Sequence, residues 1–388
     1  MDYPATFNVL IDAKKINDGG IGAYIRNLIE GLMLVPDVSV SILSTKEKIE
    51  NYDWKDNVTL IEDNNKPYSF SESFLITKKI DFSKFDLFHV PHYTLPFRVN
   101  IPTVVTIHDI IHITNPKKIY YPYIAKPWIN STLKRASKVI AVSEASKNAL
   151  IDNFKYARKN QNKITVIPNA VSLRSVTQEF HLEEKPFPFN YYISVFSNTM
   201  PHKGLSDLLW AYSKLEEKFS KYNLPKLLLV GFGIQKLLDS KEIRNYKISQ
   251  NVKVLGAVSD EKLTRLIANS NAMLIPSLAE GFYIPALDAQ SLEVPFITRP
   301  VPAICELLSK NDFCAKSMSK EDFYEEIKTF FQISREHGFT YISNEKNLKK
   351  FKLENVLLRV LDVYSEVTGK VIKRPIVSDN SEELKEAI

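Results

Sequence analysis

Cysteine is almost absent from this chain of 388 residues: Cys305 and Cys314 are the only two, which excludes a fold held together by disulfides. No run of about 20 residues is both apolar and uncharged, so no segment reads as a membrane-spanning helix. Any membrane association is therefore expected to be peripheral. The sequence does not open on a basic, then apolar, then small-residue leader, and the expected compartment is a reducing cytoplasm. Glycine is scarce, at 11 residues, and an Asp-x-Asp pair occurs nowhere. Neither charge sign dominates: 51 Lys and Arg against 45 Asp and Glu leave a net +6. That balance suits an anionic small molecule or a lipid surface and does not require nucleic acid.

What remains is ordinary globular composition, with 44% hydrophobic and 25% charged residues, which excludes a disordered or fibrous chain. The length predicts about two domains. Short apolar, β-branched-rich runs at 7–11, 38–43, 87–90, 103–107, 138–142 and 164–167 read as strands buried on both faces. A second series lies at 191–196, 227–230, 252–255, 272–275 and 296–298. Helical patterns separate several of them: in 22–33, Ile25, Leu28, Ile29 and Leu32 keep a helical period, and 205–219 and 260–268 behave alike. The fold class is α/β, with two doubly wound parallel sheets. The polar stretch 172–190 suits an interdomain connection. The expected division is 1–175, 186–355 and a C-terminal helix and tail at 356–388, the last ending in the charged segment 378–388.

In such sheets ligands sit at the carboxyl ends of the strands. Eight of the 11 glycines (Gly19, Gly20, Gly22, Gly204, Gly231, Gly233, Gly256 and Gly281) follow predicted strands. Tight turns explain some of them, but the concentration favours a phosphate-bearing ligand. Gly20-Ile21-Gly22 opens a helix after the first strand, yet Ile25 stands where a dinucleotide fingerprint has its third glycine, and Lys236 does so after Gly231-Phe232-Gly233. A nicotinamide enzyme is therefore disfavoured, while a helix N-terminus near a phosphate remains open at Gly20. His89, His92, His108 and His112 crowd two strand ends, but their spacing is not that of a zinc site and thiolates are lacking. With no Asp-x-Asp either, metal-independent chemistry is expected.

The most informative stretch runs from Pro276 to Ala289, Pro-Ser-Leu-Ala-Glu-Gly-Phe-Tyr-Ile-Pro-Ala-Leu-Asp-Ala, after the strand at 272–275. Pro285 is placed to open a helix, with Asp288 expected in its first turn and Glu280 on the feeding loop. Taken alone, these are also what a charge at a helix N-terminus and a solvated loop residue look like. They do not stand alone. Gly19-Gly20-Ile21-Gly22, Val104 to Asp109, Val139 to Ser143, Val166 to Val171, Pro201-His202-Lys203-Gly204 and Val254-Leu255-Gly256 precede them in order. Over nearly its whole length the chain resembles the retaining nucleotide-sugar glycosyltransferases of family 4, whose GT-B fold sets two Rossmann-like domains facing each other across a cleft.

The resemblance implies roles. Glu280 matches the first of two family acids eight positions apart and would face the donor sugar, while Asp288, shorter than the usual Glu, would bind ribose hydroxyls. Gly281, Phe282, Tyr283 and Ile284 fall in the loop whose amides point at the diphosphate, with Tyr283 replacing a glycine. Lys203 matches the lysine that neutralises the leaving diphosphate. Asn198 stands where an arginine is common, and His202 precedes Lys203. His108 matches the histidine that contacts the sugar from the opposite domain, and Gly256 to Val258 would border the base. Retention of anomeric configuration by front-face attack is implied, with no dedicated nucleophile and no cofactor beyond the nucleotide-sugar substrate. The donor expected first is GDP-mannose, with UDP-sugars as the alternative, and the acceptor is a glycan or a lipid-linked glycan of surface polysaccharide assembly.

From Ile110 to Ser143 no acidic residue occurs, yet Lys117, Lys118, Lys126, Lys134, Arg135 and Lys138 mix with Tyr120, Tyr121, Tyr123 and Trp128. This segment, with Lys117, Lys118, Tyr121, Trp128 and Arg135 foremost, is expected either to meet a lipid-linked acceptor or an anionic membrane surface, or to be a solvated basic face with its aromatics packed inward. The departures at Asn198, Tyr283 and Asp288 keep a non-catalytic sugar-nucleotide-binding scaffold as a reading from another class.

Overall fold

The computed structural model describes residues 6–65, 68–69, 74, 79–171, 185–219, 224–231, 233–234, 250–342 and 344–375. Most of the connection expected at 172–190, together with Phe232, Lys236 and the tail 378–388, lies outside them. The chain divides into two compact units, residues 1–170 with 350–388, and residues 171–349.

The first unit is a seven-stranded parallel sheet in the order β3-β2-β1-β4-β5-β6-β7. The strands are β1 Phe7–Asp12, β2 Val38–Ser44, β3 Thr59–Glu62, β4 Leu87–Val90, β5 Thr103–Ile107, β6 Lys138–Ala141 and β7 Ile164–Val166. β4 and β5 are buried along their whole length, as an apolar run in a doubly covered sheet must be. Edge strand β3 was not legible as a strand, because Thr59-Leu60-Ile61-Glu62 is only half-buried and ends in charge. Helices α1 Gly19–Met33, α2 Tyr121–Arg135 and α3 Glu144–Asn153 flank the sheet. Ser143 caps α3, its hydroxyl accepting from the Ser146 amide at 2.9 Å.

The second unit is a six-stranded parallel sheet in the order β10-β9-β8-β11-β12-β13. Its strands are β8 Tyr191–Phe196, β9 Lys226–Gly231, β10 Val252–Gly256, β11 Ala272–Ile275, β12 Phe296–Thr298 and β13 Phe313–Cys314. The two-residue β13 was too short to leave a periodic signal. Helices α4 Leu205–Lys218, α5 Asp260–Ala268, α6 Ile284–Ser291 and α7 Lys320–Glu336 belong to it. Phe323, Ile327 and Phe330 of α7 and Leu208, Tyr212 and Leu215 of α4 join one core with the sheet.

The chain then returns to the first unit, so the second ends at residue 349 rather than 355. Helix α8 Leu353–Thr368 is the returning element, ended by Gly369 in the left-handed region. Gly31 of α1 faces Leu353 and Leu357 of α8, where an added Cβ would make ordinary contact at 3.4–3.6 Å. Tyr364 of α8 stacks on Phe7 at 6.2 Å and bonds His89 of β4 at 2.6 Å, a tie that makes this helix part of the first unit.

Candidate functional site

Each sheet reverses its strand order once, between β1 and β4 in the first unit and between β8 and β11 in the second. The carboxyl ends of strands at such a reversal are splayed and open a crevice. The segments that leave these ends carry most of the chemistry-bearing residues.

In the second unit, β8 runs into the 3-10 turn Pro201–Lys203, and Gly204 ends that turn at φ +70°. A Cβ at Gly204 would lie 2.1 Å from the Pro276 carbonyl oxygen, so only glycine allows the two loops to touch. The Leu278 amide donates to the His202 carbonyl at 2.7 Å, closing the contact. Lys203 and Glu280 thereby meet: Nζ lies 2.8 Å from both carboxylate oxygens. Their side chains are only 11% and 6% exposed, and the Ser277 hydroxyl donates to Oε1 of Glu280 at 2.7 Å. A cation and a carboxylate, far apart in sequence, are thus fixed at one point.

The remaining expected residues of this unit take varied positions. Tyr283 has φ −126°, so the loop does not need the left-handed freedom of the glycine it replaces. Its ring turns into the core and its hydroxyl donates to the Val195 carbonyl at 2.7 Å. Burial, helped by the charge of Glu280, pushes the phenol far above its usual range. Gly281 and Ile284 are buried and Phe282 is half-buried. Asp288 is buried as the fifth residue of α6, and the first turn of that helix holds no acid. The expectation that Asp288 stands in the first turn is thus corrected: the helix begins at Ile284, one residue before Pro285. Asn198 is exposed and caps its own turn, its Oδ1 accepting from the Met200 amide at 3.0 Å. His202 is half-buried. Gly256, at φ +64°, ends edge strand β10, two strands from β8, and the half-buried Val258 follows it.

In the first unit, His108 follows β5. Burial lowers its pKa to about 4 against the opposing pull of Asp109 and a hydrogen bond to the Pro91 carbonyl, so the ring is neutral at pH 7. Its Nε2 is covered and has no hydrogen-bond partner among the described residues. Tyr24 meets the ring edge-on at 5.0 Å. Beneath it runs a buried chain in which Tyr24 bonds Thr106 at 2.8 Å, Thr106 bonds His89 Nε2 at 2.8 Å, and His89 Nδ1 bonds Tyr364. Gly20 lies exposed in the first turn of α1 with open space beside it, whereas a Cβ at Gly22 would sit 2.3 Å from the Ile16 carbonyl oxygen. Gly22 therefore serves close packing.

Sequence reasoning missed a buried ionic cluster at the end of β1. Lys14 Nζ lies 3.2 Å from Asp12 and 3.2 Å from Asp63, and His92 Nε2 lies 3.2 Å from Asp12. Burial alone would raise the Asp12 carboxyl, but Lys14 and His92 hold it well below the usual carboxylate range. Its signal was present in Asp12-Ala13-Lys14 at the end of an apolar strand. Also missed was Arg299, fully buried after β12 and bonded to Asp207 of α4 at 2.7 Å. Among the described residues no three His, Cys, Asp or Glu side chains lie close enough together to hold a metal ion.

Of the basic and aromatic stretch, Lys117 and Lys118 are exposed and Tyr121 is half-buried. Trp128 turns toward Phe97 and Phe74 at 5.9 and 6.4 Å. Arg135 donates to the Pro96 and Leu95 carbonyls at 2.6 and 2.5 Å and lies over Phe97. Trp128 and Arg135, both half-buried, thus pack against the chain's own residues 95–97.

Comparison with known proteins agrees with this architecture. Residues 18–175 match the model of Glycosyltransferase Family 4, and residues 177–346 match that of Glycosyl transferases group 1. An uncharacterized glycosyltransferase of Methanocaldococcus jannaschii is 26% identical over 372 residues, 90% of this chain and 95% of that one. An O-antigen chain mannosyltransferase of Salmonella typhimurium is 24% identical over 292 residues, 73% of this chain and 76% of its own. Among solved structures, Anabaena HepE in complex with UDP and glucose superposes with a TM-score of 0.70 at 17% identity, covering 93% of this chain and all of that one. Two Rossmann-like parallel sheets in series, both family matches and these relatives together place the chain among the family 4-type glycosyltransferases of GT-B fold, to which it belongs.

Proposed function

We propose that this glycosyltransferase moves a hexose, mannose from GDP-mannose first, to a glycan or lipid-linked acceptor in surface polysaccharide assembly, with retention of configuration and without a metal. The observation that carries the reading is the Lys203–Glu280 pair at the strand reversal of the second sheet. Transfer from a nucleoside diphosphate needs a cation at the departing oxygen and an acceptor for the sugar hydroxyls. The pair supplies both, and a pyrophosphate entering there exchanges one anion for another on the Lys203 ammonium. Gly281 to Ile284 offers amides to the phosphates at the start of α6, and Asp288 one turn on reaches the ribose. Gly20, Asn198, His202, Gly256 and Val258 are assigned to donor contacts of lesser weight.

His108 takes a sugar hydroxyl as a neutral base-side acceptor. The ring is held at the Pro91 carbonyl, and Nε2, without a partner among the described residues, is assigned the accepting role. Asp288 being given to ribose, no second carboxylate is left to act as a nucleophile, which favours front-face attack assisted by the leaving phosphate. The mannosyltransferase of Salmonella supports the sugar. A second reading, a UDP-sugar donor, is supported by the fold shared with HepE, which holds UDP and glucose.

A thermal-shift panel of GDP-mannose, UDP-glucose, UDP-galactose, UDP-N-acetylglucosamine and ADP-glucose separates them, because a donor bound only by the native state raises the melting temperature. GDP-mannose is expected to give the largest rise and a slow release of GDP. Tight binding with no turnover toward any acceptor would convert the protein into a scaffold and sink the catalytic reading. The anomeric proton coupling of the product, read by NMR, decides retention against inversion, and activity unchanged by EDTA is expected.

A further inference from the structure

We infer that residues 117–127 of the first unit seat this protein on an anionic lipid surface. Eleven large hydrophobic side chains are well exposed among the described residues, and four of them fall within six positions. Ile119 is 84% exposed, Tyr123 78%, Ile124 59% and Tyr120 46%. The other seven are scattered along the chain, as isolated surface hydrophobics usually are. A cluster of this kind is uncommon on a face that meets only water.

The cluster is not left over from core packing. Helix α2 buries Ala125, Ile129, Thr132 and Leu133, one stripe at helical spacing, against the first core. Tyr120, Tyr123, Pro127 and Lys134 follow one another at intervals of three, four and seven on the opposite side, and all are exposed. Ile119 and Ile124 flank that line. Trp128 and Arg135 turn to the protein, so the inward-packed aromatic and the surface aromatics are separate sets.

The chemistry around the apolar residues selects the occupant. Lys117, Lys118 and Lys126 are exposed among them, and no acidic residue occurs between Ile110 and Ser143. Apolar side chains that reach the acyl boundary, tyrosines at headgroup depth and a ring of lysines match an anionic leaflet. A protein interface would instead be expected to deplete lysine at its apolar centre. No helix among the described residues is long and apolar enough to cross a membrane, so the contact is interfacial.

Cosedimentation of the full chain with vesicles of phosphatidylcholine, alone or mixed with phosphatidylglycerol, tests this. Binding is expected on the mixed vesicles and at least tenfold weaker on the neutral ones. Lys117→Gln, Lys118→Gln and Lys126→Gln combined should lower the affinity about a hundredfold, near fivefold per charge. Ile119→Ser, Tyr123→Ser and Ile124→Ser combined should abolish binding while the melting temperature and its rise with nucleotide sugar stay unchanged. That second readout separates failure of this inference from failure of the donor reading. Equal binding to both vesicle types, no binding to either, or undiminished binding by the triple serine variant overturns the inference. So does a dimer, seen by sedimentation velocity, that the serine variant abolishes without any vesicle binding.

Discussion

An ammonium held 2.8 Å from both oxygens of a nearly buried carboxylate is a strong local field, and Lys203 and Glu280 are each other's main compensation. Lys203→Met leaves Glu280, among the described residues, with the Ser277 hydroxyl alone, at a cost on the order of 3 kcal/mol in urea denaturation. Glu280→Gln keeps the shape and costs less. Both should lower donor turnover by about 10²–10³-fold, because the stabilising charges act on the departing and arriving charge of the transition state. Full turnover in either variant removes the pair from the chemistry. Gly204→Ala drives a Cβ into the Pro276 carbonyl oxygen and should abolish both the fold of this loop and activity. Tyr283→Phe loses one hydrogen bond to Val195, about 1 kcal/mol, whereas Tyr283→Gly, although it restores the family residue, empties a core site at about 3–5 kcal/mol. A Tyr283→Gly variant as stable as the wild type would show that the ring is not a packing element.

Helices in this chain are tied down by polar contacts that their own sequences do not announce. The first turn of α4 is anchored by Asp207 to Arg299, whose Nε and Nη1 have no hydrogen-bond partner among the described residues. Asp207→Asn leaves a buried guanidinium uncompensated and should cost on the order of 3 kcal/mol. Arg299→Met removes the buried charge and leaves an aspartate that water already reaches, so its cost should be clearly smaller. The order of the two midpoints in urea checks this. Helix α8 depends likewise on the Tyr364 hydroxyl at His89, and Tyr364→Phe should cost about 1–3 kcal/mol, visible as faster amide exchange along residues 353–368. The periodicity of α1, α4 and α5 was legible because each buries one stripe. β3 and β13 were not, since a half-buried edge strand and a two-residue strand carry no pattern.

For the molecule as a whole, the histidines set an acid limit. Burial lowers His89 to about 3 and His108 to about 4, so the native state leaves them neutral where the unfolded chain, with ordinary histidines near 6.5, takes up protons. Stability is therefore full above about pH 6.5 and falls as the pH drops toward 4, by at most about 1.4 kcal/mol per pH unit for each histidine. Urea denaturation should show a loss of about 2–4 kcal/mol from pH 7 to pH 5, reduced in His89→Asn. A flat profile over that interval contradicts the buried, neutral assignment. The sequence by itself determined the two parallel sheets, most strands, the family and the acidic loop at Glu280, because apolar runs and glycine positions are local records of burial and of tight turns. It could not show that Lys203 and Glu280 form one ion pair, that Asp12, Lys14, Asp63 and His92 share a buried cluster, or which aromatics of residues 117–128 face water. Those depend on which strand lies beside which, and on the side of a helix left uncovered, both fixed only when distant segments pack.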